Sequence, residues 1–146
     1  MTIDHAMRVG DVMTRNPICM PEMTTVLEAA RVMRDEEIGD VIVVNTDDHL
    51  KGIVTDRDVT VRAVAENRDP AETNLANICS GALTVLKPGD GIADAVRLMR
   101  EHAVRRLPVV EGGTETPVGI ISLGDLAVVR DPQSVLAHIS AAPANH

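Results

Sequence analysis

The sequence states one pattern twice. GDVMTRNPICMPEMTTVLEAARVMRDEEIGDVIVV, continued by KGIVTDRDV, returns as NICSGALTVLKPGDGIADAVRLMREHAVRRLPVV, continued by VGIISLGDL. Ala29, Arg31, Met33, Arg34, Val43 and Val44 recur as Ala95, Arg97, Met99, Arg100, Val109 and Val110, a constant offset of 66 residues. Past a one-residue insertion in the intervening turn, Gly52, Ile53 and Asp58 recur as Gly119, Ile120 and Asp125. Two copies of so long a unit are too few for a solenoid, which builds a continuous core from many repeats. Each half is also small enough to be marginal alone. The repeat therefore predicts two subdomains that bury their apolar faces on each other.

Periodicity gives each copy its elements. Val26, Ala29, Ala30 and Met33 stand at i, i+3, i+4 and i+7, the spacing of an amphipathic helix, with Thr24 or Thr25 placed to cap it and Glu28 in the first turn. Ile92, Ala95, Val96 and Met99 repeat the pattern after Asp90. The short β-branched runs at 41–44 and 107–110 predict strands. Polar turns at 45–49 and 111–116 lead to second apolar runs at 50–54 and 118–121, hence hairpins. A further helix is expected from Thr55 and from Ser122. With opening strands at 18–20 and 84–86, each copy reads β-α-β-β-α. The fold class is α+β, two pseudo-symmetric βαββα subdomains packed on each other. Residues 67–74 lack apolar periodicity and read as a linker. The tail from Asp131 predicts a short helix through Val135, Leu136 and Ile139, ending in a frayed terminus.

Composition narrows the function. The chain is 45% hydrophobic without a Phe, Trp or Tyr, so its core is aliphatic and a planar ligand would lie between aliphatic side chains. The 14 Lys and Arg against 22 Asp and Glu give a net charge of −8, which opposes nucleic-acid binding driven by phosphate neutralisation. No apolar run approaches the roughly 20 residues of a membrane span. Asp4 and the lack of an apolar leader predict no secretory signal. A cytoplasmic protein with reduced thiols is expected. Cys19, Cys79 and five His lack the paired spacings of zinc ligands, so no metal site is expected, and Cys19 is expected as a small buried residue in its strand. Neither a nucleophile–base–oxyanion arrangement nor a phosphate loop is present, and the expectation is no catalysis.

Both hairpins end in one element, Gly52-Ile53-Val54-Thr55-Asp56-Arg57-Asp58 and Gly119-Ile120-Ile121-Ser122-Leu123-Gly124-Asp125. Thr or Ser followed three residues later by Asp at a helix entry is close to a capping box, which needs no ligand. The same groups suit a nucleoside phosphate. A helix N-terminus seats phosphate, a hydroxyl at the cap can donate to it, and an Asp can accept from both hydroxyls of a ribose. The two uses do not exclude each other.

A tandem βαββα unit with this Gly-hydrophobic-hydrophobic-Thr/Ser-x-x-Asp element, with DVMT at Asp11–Thr14 and RRLPVV at Arg105–Val110, resembles a cystathionine-β-synthase-type (CBS) domain pair, or Bateman module, of the stand-alone bacterial kind. The resemblance spans about residues 8–130 and implies CBS domain 1 at 8–66, a linker at 67–74, CBS domain 2 at 75–130 and a tail at 131–146. It implies a regulatory module that needs no cofactor and binds a small adenosyl ligand in clefts between the repeats: an adenine nucleotide (AMP, ADP, ATP), NAD(H) or S-adenosylmethionine. It also implies a flat homodimer and a target protein that reads the signal. By the same resemblance Arg105 and Arg106 stand where phosphate-contacting side chains occur, whereas the first copy has Gly39 and Asp40 there and would rely on Arg57. The candidate ligand-binding residues are thus Thr55, Arg57, Asp58, Arg105, Arg106, Ser122 and Asp125. The rival reading is a constitutive protein–protein adaptor whose motifs only cap helices.

Overall fold

The computed structural model describes residues 7–81, 84–130, 133 and 139–142. Two compact units form, and they do not coincide with the two repeats.

The first-repeat unit runs from Pro17 through the end of repeat one and on to Gly81, with Glu115–Pro117 added. It contains β2 (Cys19–Pro21), α2 (Val26–Glu36), β3 (Asp40–Val44), β4 (Leu50–Thr55), a single turn α3 (Asp56–Asp58), α4 (Leu75–Ile78) and β5 (Ser80–Gly81). Its sheet has the order β2-β3-β4-β5; β2 runs parallel to β3, and the other pairs are antiparallel. Val26, Ala29 and Met33 of α2 meet Val41, Val43 and Val54 of the sheet in one core, closed by Ala63, Leu75 and Ile78. The predicted helical stripe is therefore the buried face. Thr25 caps α2, its hydroxyl oxygen accepting from the Glu28 N–H at 3.2 Å, a contribution of about 1 kcal/mol. The helix expected from Thr55 makes one α-turn and then widens into a π-helical stretch, Val59–Val64.

The predicted linker is structural. The Thr73 and Pro70 carbonyls accept from the N–H groups of Val26 and Leu27 at 2.8 and 3.0 Å, satisfying donors that a helix start leaves open. Thr73 itself is buried, its hydroxyl donating to the Asp69 carbonyl at 2.7 Å.

Of the described residues, the second-repeat unit combines those up to Asn16 with Thr84–Thr114 and those from Val118 on. It contains α1 (Val9–Val12), β1 (Thr14–Arg15), α5 (Ile92–His102), β6 (Arg106–Val110), β7 (Pro117–Ser122) and α6 (Leu123–Arg130), with sheet order β1-β7-β6. Ile92, Ala95 and Met99 pack with Leu107, Val109, Ile121 and Leu126 and with Val9 and Met13. Each unit is thus completed by the segment that opens the other repeat. Thr14 and Arg15 pair with Ile120 and Gly119, just as Ser80 and Gly81 pair with Ile53 and Gly52.

Three local expectations are corrected. The opening strand of the second copy shrinks to one parallel bridge, Leu86 to Val109. In the first copy the Ile42 N–H donates to the Ile18 carbonyl at 2.9 Å; its counterpart is Pro108, which has no N–H, and the ladder stops. Asp90 does not cap α5: its carboxylate accepts from the Lys87 N–H at 2.9 Å, and Gly91 takes the cap, its N–H donating to Asp94 at 3.1 Å. Cys19 lies in its strand as expected but is exposed. In the tail, Ile139–Ala141 are helical, whereas Val135 and Leu136 lie outside the described residues. Among the described residues no helix is long and apolar enough to cross a membrane.

Candidate functional site

The sequence singles out two helix entries, one in each unit, and the structure forms a capping box at both. In the first-repeat unit the Asp58 N–H donates to Thr55 Oγ1 at 3.1 Å, while Asp58 Oδ2 accepts from the Thr55 N–H at 2.9 Å and from the Thr55 hydroxyl at 3.1 Å. The other carboxylate oxygen faces Arg62 Nε at 3.6 Å, one turn on. Both oxygens of Asp58 are therefore engaged. The Gly39 carbonyl accepts from the Asp56 N–H at 2.9 Å, and Asp40 sits across the ladder from Thr55. Arg57 is exposed beside the cap, its N–H donating to Asp56 Oδ1 at 2.8 Å.

The second-repeat unit reproduces this geometry with different charges. The Asp125 N–H donates to Ser122 Oγ at 3.1 Å, and Asp125 Oδ2 accepts from the Ser122 N–H at 2.9 Å. Val129 stands where the first copy has Arg62, so the i+4 arginine that faces Asp58 has no counterpart one turn after Asp125. The Arg105 carbonyl accepts from the Leu123 N–H at 2.8 Å, which ties Arg105 to the helix entry, and Arg106 opens β6 next to it. Here the helix stays α-helical for eight residues from Leu123, whereas the first copy turns π-helical after Asp58. Thr55 and Asp58 meet at one cap, with Arg57 in its first turn; Ser122 and Asp125 meet at the other, with Arg105 tied to it through its backbone carbonyl and Arg106 following in sequence.

Sequence reasoning missed a groove. A cavity of about 540 Å³ opens between α5 and α6, floored by Val96, Met99, Leu126 and Ala127 and edged by Arg100 and Arg105. Its signal was readable: Leu123, Leu126, Ala127 and Arg130 fall at i, i+3, i+4 and i+7, a helical stripe wider than burial of Leu126 requires.

The thiols show no sign of activation. Although Cys19 is exposed, partial desolvation by its surroundings raises its thiol above the ordinary value, aided by Asp48, and burial pushes Cys79 up against the opposing pull of Lys51. Both carry less thiolate, the nucleophilic and metal-binding form, than a free cysteine. Among the described residues no three His, Cys, Asp or Glu side chains gather as a metal site.

The paired caps acquire a family context from comparison with known proteins. The family model for the CBS domain matches residues 9–64 and again 75–130. The chain belongs to the CBS-domain family. Among relatives of this CBS pair, the CBS domain-containing protein YhcV of Bacillus subtilis is 38% identical over 120 residues, covering 82% of this chain and 83% of the relative. Hypoxic response protein 1 of Mycobacterium tuberculosis is 31% identical over 117 residues, covering 80% of each. A crystal structure of hypoxic response protein I, with two coordinated zinc ions, matches with a TM-score of 0.74 at 30% identity, over 82% of this chain and 96% of that one. A CBS domain pair crystallised with 5′-methylthioadenosine and S-adenosyl-L-methionine shares the fold, with a TM-score of 0.76 at 20% identity, covering 87% and 98%. The family match follows the sequence repeats, whereas the compact units exchange their opening segments.

Proposed function

We propose that this CBS pair is a regulatory module that binds an adenine nucleotide or a related adenosyl ligand at its caps and signals occupancy through a homodimer to a target protein. The observation that carries the reading is the second cap. Ser122 and the N-terminus of α6 offer donors for phosphate, Asp125 has Val129 where Asp58 has Arg62, and Arg105 and Arg106 bring positive charge to the same entry. The neighbouring fold that holds methylthioadenosine and S-adenosylmethionine supports adenosyl chemistry for such a pair. In the first cap Asp58 is occupied by Arg62, and Asp40 replaces the counterpart arginine. An anionic side chain near a phosphate costs roughly 1–4 kcal/mol at 4 Å, depending on the effective dielectric. The second cap is therefore the tighter site.

The adaptor reading has one observation in its favour: both capping boxes are complete without a ligand. A melting panel separates the two. AMP, ADP, ATP, NADH and S-adenosylmethionine are each added to the purified protein, and a true ligand at 100 times its dissociation constant adds about 2.7 kcal/mol to stability. Calorimetry with that ligand should lose its tighter event in Asp125→Ala and keep it in Asp58→Ala. Unmoved melting with every compound favours the adaptor.

A further inference from the structure

The second cap has a neighbour for which the repeat does not account. Gly124 is the second residue of α6, and its φ lies outside the left-handed region, so the backbone there does not call for glycine. A glycine is also a poorer helix former than alanine. What its missing side chain admits is the tail, which belongs to the same unit. Ile139–Ala141 form a helical turn closed by the Ala142 N–H, which donates to the Ile139 carbonyl at 3.1 Å. Ser140 of that turn lies against Gly124: a Cβ built on the glycine would stand 2.6 Å from Ser140 Oγ, 3.0 Å from Ser140 Cβ and 3.7 Å from Ser122 Oγ. The tail hydroxyl and the cap hydroxyl thus flank one point at the start of α6. The first copy fills the equivalent place differently. Arg57 is the counterpart of Gly124, and its N–H donates to Asp56 Oδ1 at 2.8 Å. Leu123, the counterpart of Asp56, has no side-chain acceptor. An amide in the first turn has no carbonyl partner within its helix and is the kind of donor that an anionic oxygen uses.

We propose that residues 139–142 are an autoinhibitory strap on the second cap: Ser140 holds the place at Gly124 that an anionic oxygen of the ligand takes, and the ligand binds by displacing it. The proposal rests on the adenosyl-ligand reading above and adds the regulation of that site. All four residues of the turn are exposed, so few buried contacts hold it down and local opening is cheap. A site that is open for only a fraction of the time shows an affinity reduced by that fraction. The strap therefore sets the ligand concentration at which the second cap responds, and whatever draws the tail away from Gly124 raises the response. The first cap has no such control, because Asp56 meets the equivalent amide from within its own turn.

The test compares the full chain with one that ends at Gln133, once a melt has shown that the shortened chain unfolds cooperatively near the parent temperature. AMP, ADP, ATP, NADH and S-adenosylmethionine are titrated into both by calorimetry. The shortened chain should bind the active compound about two- to tenfold tighter, the gain from releasing a strap held as firmly as one net hydrogen bond. Binding seen only with the shortened chain supports the strap as a complete block. Equal affinities, or weaker binding once the tail is gone, overturn the strap and leave the ligand reading standing. Binding to neither chain overturns the ligand reading and the strap with it. Ser140→Asp in the full chain keeps the proposal testable if the shortened chain fails to fold. A carboxylate at a helix N-terminus is favoured by the dipole, so it should hold the strap closed and lower affinity about two- to fivefold. Unchanged affinity in that variant overturns the proposal. In the parent chain, amide exchange across 139–142 should rise when the ligand is added, and unaltered exchange overturns displacement.

Discussion

Gly52→Ala is expected to destabilise the first-repeat unit by about 2–3 kcal/mol, a fall in melting temperature on the order of 5–10 °C for a chain of this length. Gly52 faces Gly81 across the β4–β5 ladder, and a Cβ built on it overlaps the carbonyl oxygen of Ser80 and comes within 3.3 Å of Cys79 Sγ. The oxygen belongs to backbone held in the ladder and cannot rotate away. Restricting the unfolded chain by replacing glycine gains only about 0.4–1 kcal/mol, too little to offset the overlap. Gly119→Ala should cost less. There the nearest atom is the end of the flexible Met13 side chain, with the Thr14 carbonyl at 3.0 Å. Melts of the two variants side by side check this; equal losses, or no loss at Gly52, would show that β5 can give way. The glycine that opens each repeated motif thus has a structural task of its own: it admits the exchanged edge strand.

Asp125→Asn is expected to lower affinity for the adenosyl ligand about ten- to a hundredfold, or roughly 1.5–3 kcal/mol, while the unliganded melting temperature barely moves. The amide oxygen can keep accepting from the Ser122 N–H, now 2.9 Å from Oδ2, so the cap persists. On the proposed reading the change falls on the acceptor offered to the ribose, because charged hydrogen bonds are roughly twice as strong as neutral ones. A 2′-deoxy ligand should lose comparable affinity on the parent and little more on the variant, since both changes remove one contact. Titration calorimetry over the four combinations reads this directly. Unchanged nucleotide affinity in Asp125→Asn would remove the ribose role and leave the cap as Asp125's task.

The periodic elements were legible because burial imposes their spacing. Val26, Ala29 and Met33 and their counterparts Ile92, Ala95 and Met99 are core residues in the structure, and the hairpins and helix entries stand within a residue of expectation. What the sequence hid was non-local. No pattern around Val9 or Leu75 says that each will serve the other repeat's core, because an edge strand of two residues carries no period. The loss of the 84–86 strand was readable in principle from Pro108, but only once its partner across the ladder was known. The caps were legible as motifs. The engagement of Asp58 by Arg62 was not singled out, although i and i+4 spacing signals it. Cys19 was misplaced because the apolar run around it pointed to burial, while β2 lies at the edge of its sheet.

The exchanged segments set a rule for anyone who would move these units between proteins. A graft of the second repeat cut at its sequence boundaries would leave behind α1 and β1, and with them Val9 and Met13 of the core. The flank of β7 would then present bare N–H and C=O groups, an edge on which foreign strands assemble. A working transplant must carry residues 8–15 with residues 84–130, two pieces of chain that the linker keeps far apart in sequence. The transferable module is defined by the ladder at Gly119 and Ile120 and not by the repeat that the eye finds in the sequence.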